Sequence, residues 1–134
     1  MSETTPVSKN IKVIPTADYE AVKAALDGYL EGLTVGNFDR ITDSFWEDAT
    51  MHGFTAGGLT EGSYQNLKPY VDQFGAAPDS KCHLDVLAIT PSTAVIRIDL
   101  EDNADGTDYT DFHTLIKQDG TWKVIAKVFH QYGI

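Results

Sequence analysis

From Thr16 onward, hydrophobic residues recur at three- and four-residue spacing, and Val22, Leu26, Tyr29 and Leu33 fall on one face of a predicted helix. Thr16 is placed to cap its start, Asp18 suits the first turn, and Gly36 stops it. A second, short helix is predicted from Asn37, whose side chain can cap it, with Phe38, Ile41 and Phe45 turned inward. "ATMHGFT", Ala49 to Thr55, reads as a strand and "AGGLTEGS" as a turn. Ser63 then caps a third helix through Leu67, Tyr70, Val71 and Phe74 that ends at Gly75, and Pro69 inside it calls for a kink or a late start. Beyond Gly75 the period changes from 3.6 to two. "KCHLDVLAIT" and "STAVIRIDLE" flank Pro91-Ser92, and "YTDFHTLIK" and "TWKVIAKVFHQ" flank Asp119-Gly120, a strong hairpin signal. Helices followed by a long antiparallel meander place the chain in the α+β class.

Alternation sorts the strand residues into two sets. One is apolar: Leu84, Val86 and Ala88; Ala94, Ile96, Ile98 and Leu100; Phe112 and Ile116; Trp122, Val124, Ala126 and Val128. The other is mixed: His83, Asp85 and Leu87; Val95, Arg97 and Asp99; Tyr109, Asp111, His113 and Leu115; Lys123, Ile125, Lys127 and Phe129. How the sets align depends on the loop at Asp119-Gly120. A three-residue loop pairs Lys117 with Thr121, and therefore Asp111 with Lys127. A two-residue turn places Asp111 opposite Val128 and His113 opposite Ala126. The longer loop is the expected one, because it leaves one face uniformly apolar. The mixed face is then either wet, with Asp111 and Lys127 an exposed pair worth under about 1 kcal/mol, or the wall of a ligand pocket. Its many large apolar groups favour the pocket, since cavities combine apolar walls with a few polar groups.

Composition narrows the function classes. A chain of 134 residues is the size of one domain. Residues 1–15 are polar and aperiodic, and are expected to form a flexible arm before a single domain over 16–134. Ten basic residues are scattered among twenty acidic ones, a net charge of −10, which argues against nucleic acid and anionic membranes as partners. No apolar run reaches the ~20 residues that span a bilayer. "MSETTPVSKN" lacks the form of a secretory signal and Cys82 stands alone, so a cytoplasmic location is expected. His52, His83, His113 and His130 are far apart in sequence, and Asp102, Asp105 and Asp108 lack the spacing and closing Glu of a calcium loop. Neither a metal nor another cofactor is expected.

The order of elements, with "GNFDRITDSFWEDATMHG", the "GLTEG" turn and the closing "YTDFHTLIKQDGTWKVIAKVF", resembles the NTF2-like superfamily, and within it the SnoaL-like and "putative lumazine-binding" branch. The resemblance covers Tyr19 to Gln131. It implies a cone in which a curved sheet, antiparallel or mixed, wraps around three N-terminal helices and leaves an internal cavity. It also implies a homodimer joined through the outer face of the sheet. Catalytic members carry acid–base side chains on the late strands. In the polyketide cyclases a polar residue and a His two apart face an acid on the next strand. Asp111 and His113 match that pair, and Lys127 stands where the acid would be. The Asp-Arg-Asp arrangement of limonene epoxide hydrolases has possible counterparts in Arg97, Asp99 and Asp111.

Asp111, His113 and Lys127 are therefore the candidate catalytic residues. Lys127 would keep Asp111 ionised, and His113 titrates near neutrality. His52, Trp46, Tyr29, Arg97, Asp99, Tyr109 and Phe129 are the candidate ligand-pocket residues, although Trp46 and Tyr29, read as helix-borne, suit a core equally well. The expected function is binding of a small apolar or aromatic molecule. The alternative is acid–base catalysis by an isomerase, dehydratase or cyclase.

Overall fold

The computed structural model describes residues 14–133, so most of the expected arm, residues 1–13, lies outside the described residues. The first predicted helix forms as two pieces, α1 (Thr16–Ala24) and α2 (Asp27–Val35). Between them the Leu26 N–H reaches only three residues back, to the Lys23 carbonyl. Pro15, not Thr16, occupies the cap position of α1, and its carbonyl accepts from the Asp18 N–H at 3.0 Å. Gly36 ends α2 in the left-handed conformation that glycine adopts without strain. Asn37 caps α3 (Phe38–Thr42) by accepting from the Arg40 N–H.

Strand β1 (Phe45–Thr55) begins earlier than its sequence suggests, so Phe45 and Trp46 are strand residues rather than helical ones. It turns into the short β2 (Gly58–Thr60). Ser63 caps a 3-10 turn at Tyr64–Asn66, and α4 (Leu67–Phe74) starts late enough to hold Pro69 in its first turn. Four long strands follow: β3 (Lys81–Ile89), β4 (Thr93–Glu101), β5 (Tyr109–Gln118) and β6 (Thr121–Gln131).

These form one curved, unclosed, mixed sheet in the order β2-β1-β6-β5-β4-β3, parallel only between β1 and β6. Its concave side wraps the helices, as expected of the NTF2-like cone, and Val22, Leu26, Tyr29 and Ile41 are buried against it with Ile96, Ile98, Leu115 and Val124.

The register of β5 and β6 corrects both alternatives read from the sequence. Asp119 and Gly120 form a two-residue turn with φ of 50° and 79°, so Gln118 pairs with Thr121. Beyond the pair Leu115–Val124, Ile125 is an extra residue, and Thr114 pairs with Ala126. His113 therefore lies opposite Lys127, and Asp111 opposite Phe129. The β4–β5 register pairs Ile98 with Asp111 and Ile96 with His113. The uniformly apolar face does not exist. Instead, the concave face combines the apolar set of β4 with Asp111, His113 and Leu115. It also carries Trp122 and Val124 from before the bulge and Lys127 and Phe129 from after it.

Helix α2 approaches α3 through Gly28 and Gly32. A Cβ on Gly32 would stand 2.7 Å from the Asn37 carbonyl oxygen and 2.8 Å from the Ile41 nitrogen, both backbone atoms that cannot give way. Alanine normally stabilises a helix over glycine by about 1 kcal/mol. Here Gly32→Ala is expected to destabilise by about 1–3 kcal/mol through overpacking, whereas Gly57→Ala, whose nearest neighbour is 3.7 Å away, is expected to leave the denaturation midpoint unmoved. Urea unfolding of the two variants checks the contrast, and a stabilised Gly32→Ala would refute it.

Candidate functional site

The strand pairings and the helices packed on them bring side chains from several elements to one cavity on the concave face. Strand β5 supplies Asp111 and Tyr109, β6 supplies Lys127 and Phe129, β1 supplies Met51, and α2 supplies Tyr29 and Leu33. Leu67 and Tyr70 of α4 close another side, and Thr55, Asn66 and Asn103 add polar groups to the lining. The cavity measures about 140 Å³, the scale at which a single aromatic ring can be held. Phe129 can lie flat here because β1 offers it Gly53, where any Cβ would run into the ring.

Asp111 is the centre of the polar cluster. Its Oδ2 accepts from the Tyr29 hydroxyl at 2.6 Å and lies 3.1 Å from His113 Nε2. Its Oδ1 has no hydrogen-bond partner among the described residues, and Lys127 Nζ stands 3.9 Å from it. The ammonium of Lys127 is poorly served in turn. It has the Met51 sulfur at 3.6 Å, a weak acceptor, and the ring centre of Phe129 at 4.0 Å. Asp111, His113 and Lys127 are 1%, 0% and 3% exposed.

Burial pushes the Asp111 carboxyl upward, but Lys127, His113 and Tyr29 together outweigh it and hold the group below the usual carboxylate range. Burial likewise holds His113 below the ordinary histidine range, against the pull of Asp111. A neutral His113 donates through Nε2 and leaves Nδ1 bare, in keeping with the lack of any partner for Nδ1 among the described residues. Burial also pulls Lys127 down, with Asp111 opposing, and it raises the Tyr29 phenol, with Asp111 adding to the rise. The cluster is therefore a carboxylate with two donors on one oxygen, a bare second oxygen, and an amine close to it.

The structure brings Asp111, His113 and Lys127 together, with Tyr29, Tyr109 and Phe129. His113 sits behind the carboxylate instead of lining the cavity. Four pocket residues expected from the sequence are corrected. Arg97 and Asp99 pair with Phe112 and Thr110, on the convex side, where they bind each other at 3.2 Å. His52 pairs with Val128 and shares its outward face. Trp46 donates to the Ile116 carbonyl under the Lys123 ammonium, also away from the cavity. The sequence reading passed over Met51 and Leu100. Met51 alternates with Gly53 on β1, a signal that needs the β1–β6 pairing to interpret. Among the described residues, no group of His, Cys, Asp or Glu side chains could hold a metal ion, and no helix is long and apolar enough to cross a membrane.

Asp111 and His113 both have folded pKa values below their unfolded ones, so on acidification the unfolded chain takes up protons first and stability is lost. For His113 the loss starts near its unfolded value of about 6.5, and for Asp111 it continues below about 3.9. The urea midpoint is expected to fall between about pH 7 and pH 5, and to fall less in His113→Gln, which keeps a donor for Asp111. Equal slopes in the two proteins would show that His113 charges as readily folded as unfolded.

Residues 17–130 match the profile of a family described as "Putative lumazine-binding". Aldolase FrzH from a Cladobotryum species is 38% identical over 121 residues, 90% of this chain and 97% of its own. An NTF2-like protein of unknown function from Shewanella baltica superposes with a TM-score of 0.84 at 29% identity, over 92% of this chain and 100% of its own. A ketosteroid isomerase-like protein from Erwinia carotovora atroseptica shares the fold, with a TM-score of 0.69 at 14% identity, over 90% of this chain and 100% of its own. The cone, its cavity-bearing concave face and these likenesses agree: the chain belongs to the NTF2-like family described as "Putative lumazine-binding".

Proposed function

We propose that this protein is an acid–base enzyme that removes the proton beside the carbonyl group of a small, largely apolar substrate and uses the resulting carbon nucleophile in aldol-type chemistry. The observation that carries the reading is Asp111 Oδ1, a carboxylate oxygen with no hydrogen-bond partner among the described residues, on a side chain that lines an apolar cavity. Tyr29 and His113 occupy the other oxygen, so they fix the direction of the carboxylate without blocking its free lone pairs. His113 is a positioning residue. The 38% identity to a protein named an aldolase favours carbon–carbon chemistry over the isomerase, dehydratase or cyclase readings. Plain ligand binding is the second reading, supported by the small volume and apolar walls of the cavity.

The convex face supports homodimer formation. Phe112 and Val128 are direct cross-strand partners there, and are 41% and 50% exposed.

Two measurements check these proposals. In heavy water, the wild-type protein is expected to speed exchange of the α-hydrogens of small cyclic ketones, and Asp111→Asn is expected to lose that activity while keeping its affinity for them. Ketone binding with no exchange above buffer in the wild type would leave plain binding as the function. In sedimentation experiments the wild type is expected to be a dimer that Phe112→Asp splits, and a wild-type monomer would remove the convex-face proposal.

A further inference from the structure

We infer that Lys127 is a covalent catalyst, its amine forming an imine with the carbonyl carbon of a small ketone or aldehyde before Asp111 takes the α-proton. The inference deepens the acid–base reading and rests on it.

The first support is the surroundings of the amine. Lys127 lines the cavity, yet among the described residues the only acceptors near its three donors are a thioether sulfur at 3.6 Å and a carboxylate oxygen at 3.9 Å, beyond hydrogen-bond reach. A lysine placed to act as a structural ion pair would close that last gap. At 3.9 Å the amine and the carboxylate oxygen are close enough to act on neighbouring atoms of one bound molecule. Burial favours its uncharged, nucleophilic form, the usual way a lysine is activated toward carbonyl compounds. Its cross-strand partner is His113, which is wholly buried.

The second support is the weakness of the base. Tyr29 at 2.6 Å and His113 at 3.1 Å both bond to Oδ2 and stabilise the carboxylate, and a weakly basic carboxylate is poorly matched to the α-hydrogen of an unmodified ketone. Chemistry at this site therefore requires a more acidic carbon, and an iminium provides one. The face of Phe129, with its ring centre 4.0 Å from Nζ, stabilises an iminium cation as it does an ammonium.

The steps balance. The Nζ lone pair forms a bond to the carbonyl carbon, and the C=O π pair moves to oxygen, which gains the proton that nitrogen loses. The nitrogen lone pair then expels that oxygen, which leaves as water after taking up one proton from solvent, and a cationic C=N remains. Asp111 Oδ1 accepts the α-proton, the C–H pair becomes a C=C bond, and the C=N π pair returns to nitrogen. Iminium and carboxylate become neutral enamine and neutral acid, so the buried site carries no net charge before or after the transfer. The enamine C=C pair attacks an aldehyde carbon to form the new carbon–carbon bond, and the aldehyde oxygen takes the proton back from Asp111. Water then adds to the renewed C=N carbon, and collapse of that adduct restores the C=O bond, frees the amine and returns to solvent the one proton taken up earlier.

The test is reductive trapping. Full-length protein is incubated with cyclohexanone and cyanoborohydride, digested and mapped by mass spectrometry. The peptide bearing Lys127 is expected to gain the mass of the ketone less one oxygen atom, only when reductant is present. The exposed Lys68 and Lys81 serve as internal controls for non-specific labelling. Lys127→Arg keeps the charge without a nucleophilic amine and is expected to lose both the adduct and the hydrogen exchange. Mapping the wild type needs no variant to fold. Asp111→Asn is expected to keep the adduct and lose exchange. Wild-type exchange without a Lys127 adduct would overturn the covalent route but leave the acid–base reading intact, with Lys127 an ammonium facing the enolate oxygen. Labelling no stronger at Lys127 than at Lys68 and Lys81 would likewise overturn it. An adduct without exchange would uphold the imine and remove Asp111 as the base, and the absence of both would overturn both.

Discussion

An ionised carboxylate inside a protein costs several kcal/mol unless partners reach it, and two of the three partners of Asp111 come from other elements. Tyr29 arrives on α2, Lys127 on β6, and His113 from two residues along the same strand. Tyr29 is tied at both ends. Its hydroxyl holds Asp111, and its backbone N–H, one of the unpaired donors in the first turn of α2, is accepted by Ser44 Oγ at 2.8 Å. The Ser44 carbonyl in turn accepts from the Val124 N–H at 2.8 Å, just before the bulge in β6. Helix, sheet and charge are thus joined by one short chain of hydrogen bonds, and moving any link moves the carboxylate.

The same concave surface serves two purposes. Where helices cover it, Ile96, Ile98 and Val124 form ordinary core. Where the helices leave room, the surface continues as the cavity wall. A dry apolar face and a separate mixed pocket face are alternatives for a flat sheet with two exposed sides. In a cone they merge, because the inner surface is packed over part of its extent and hollow over the rest.

Apart from the Thr16 cap and the break between α1 and α2, helix faces, stops and caps were legible in the sequence because they depend on neighbours three or four residues away. The Gly36 stop, the Asn37 and Ser63 caps and the four long strands needed nothing else. Relations between strands were not legible. "TWKVIAKVF" alternates without interruption, and nothing local marks Ile125 as the residue left unpaired. The phase of β5 against β4 is set across residues 102–108, so Arg97 and Asp99 looked like companions of Asp111 although they face away from it. Lys127 was found on the correct face for a partly mistaken reason: the expected longer loop and the actual turn plus bulge each shift the register by one residue.

That extra residue sets which way the second half of β6 faces, a matter its composition leaves open. Before it, even-numbered positions point inward; after it, odd-numbered ones do. Drawing Ile125 into the ladder, with no residue lost, would restore unbroken alternation and carry Lys127 and Phe129 outward together. The apolar content of the strand would hardly change, and the cone would still have a core to close on. Its cavity would have lost the amine. The site thus depends less on which side chains the centre of this strand carries than on the one residue left out of the pairing.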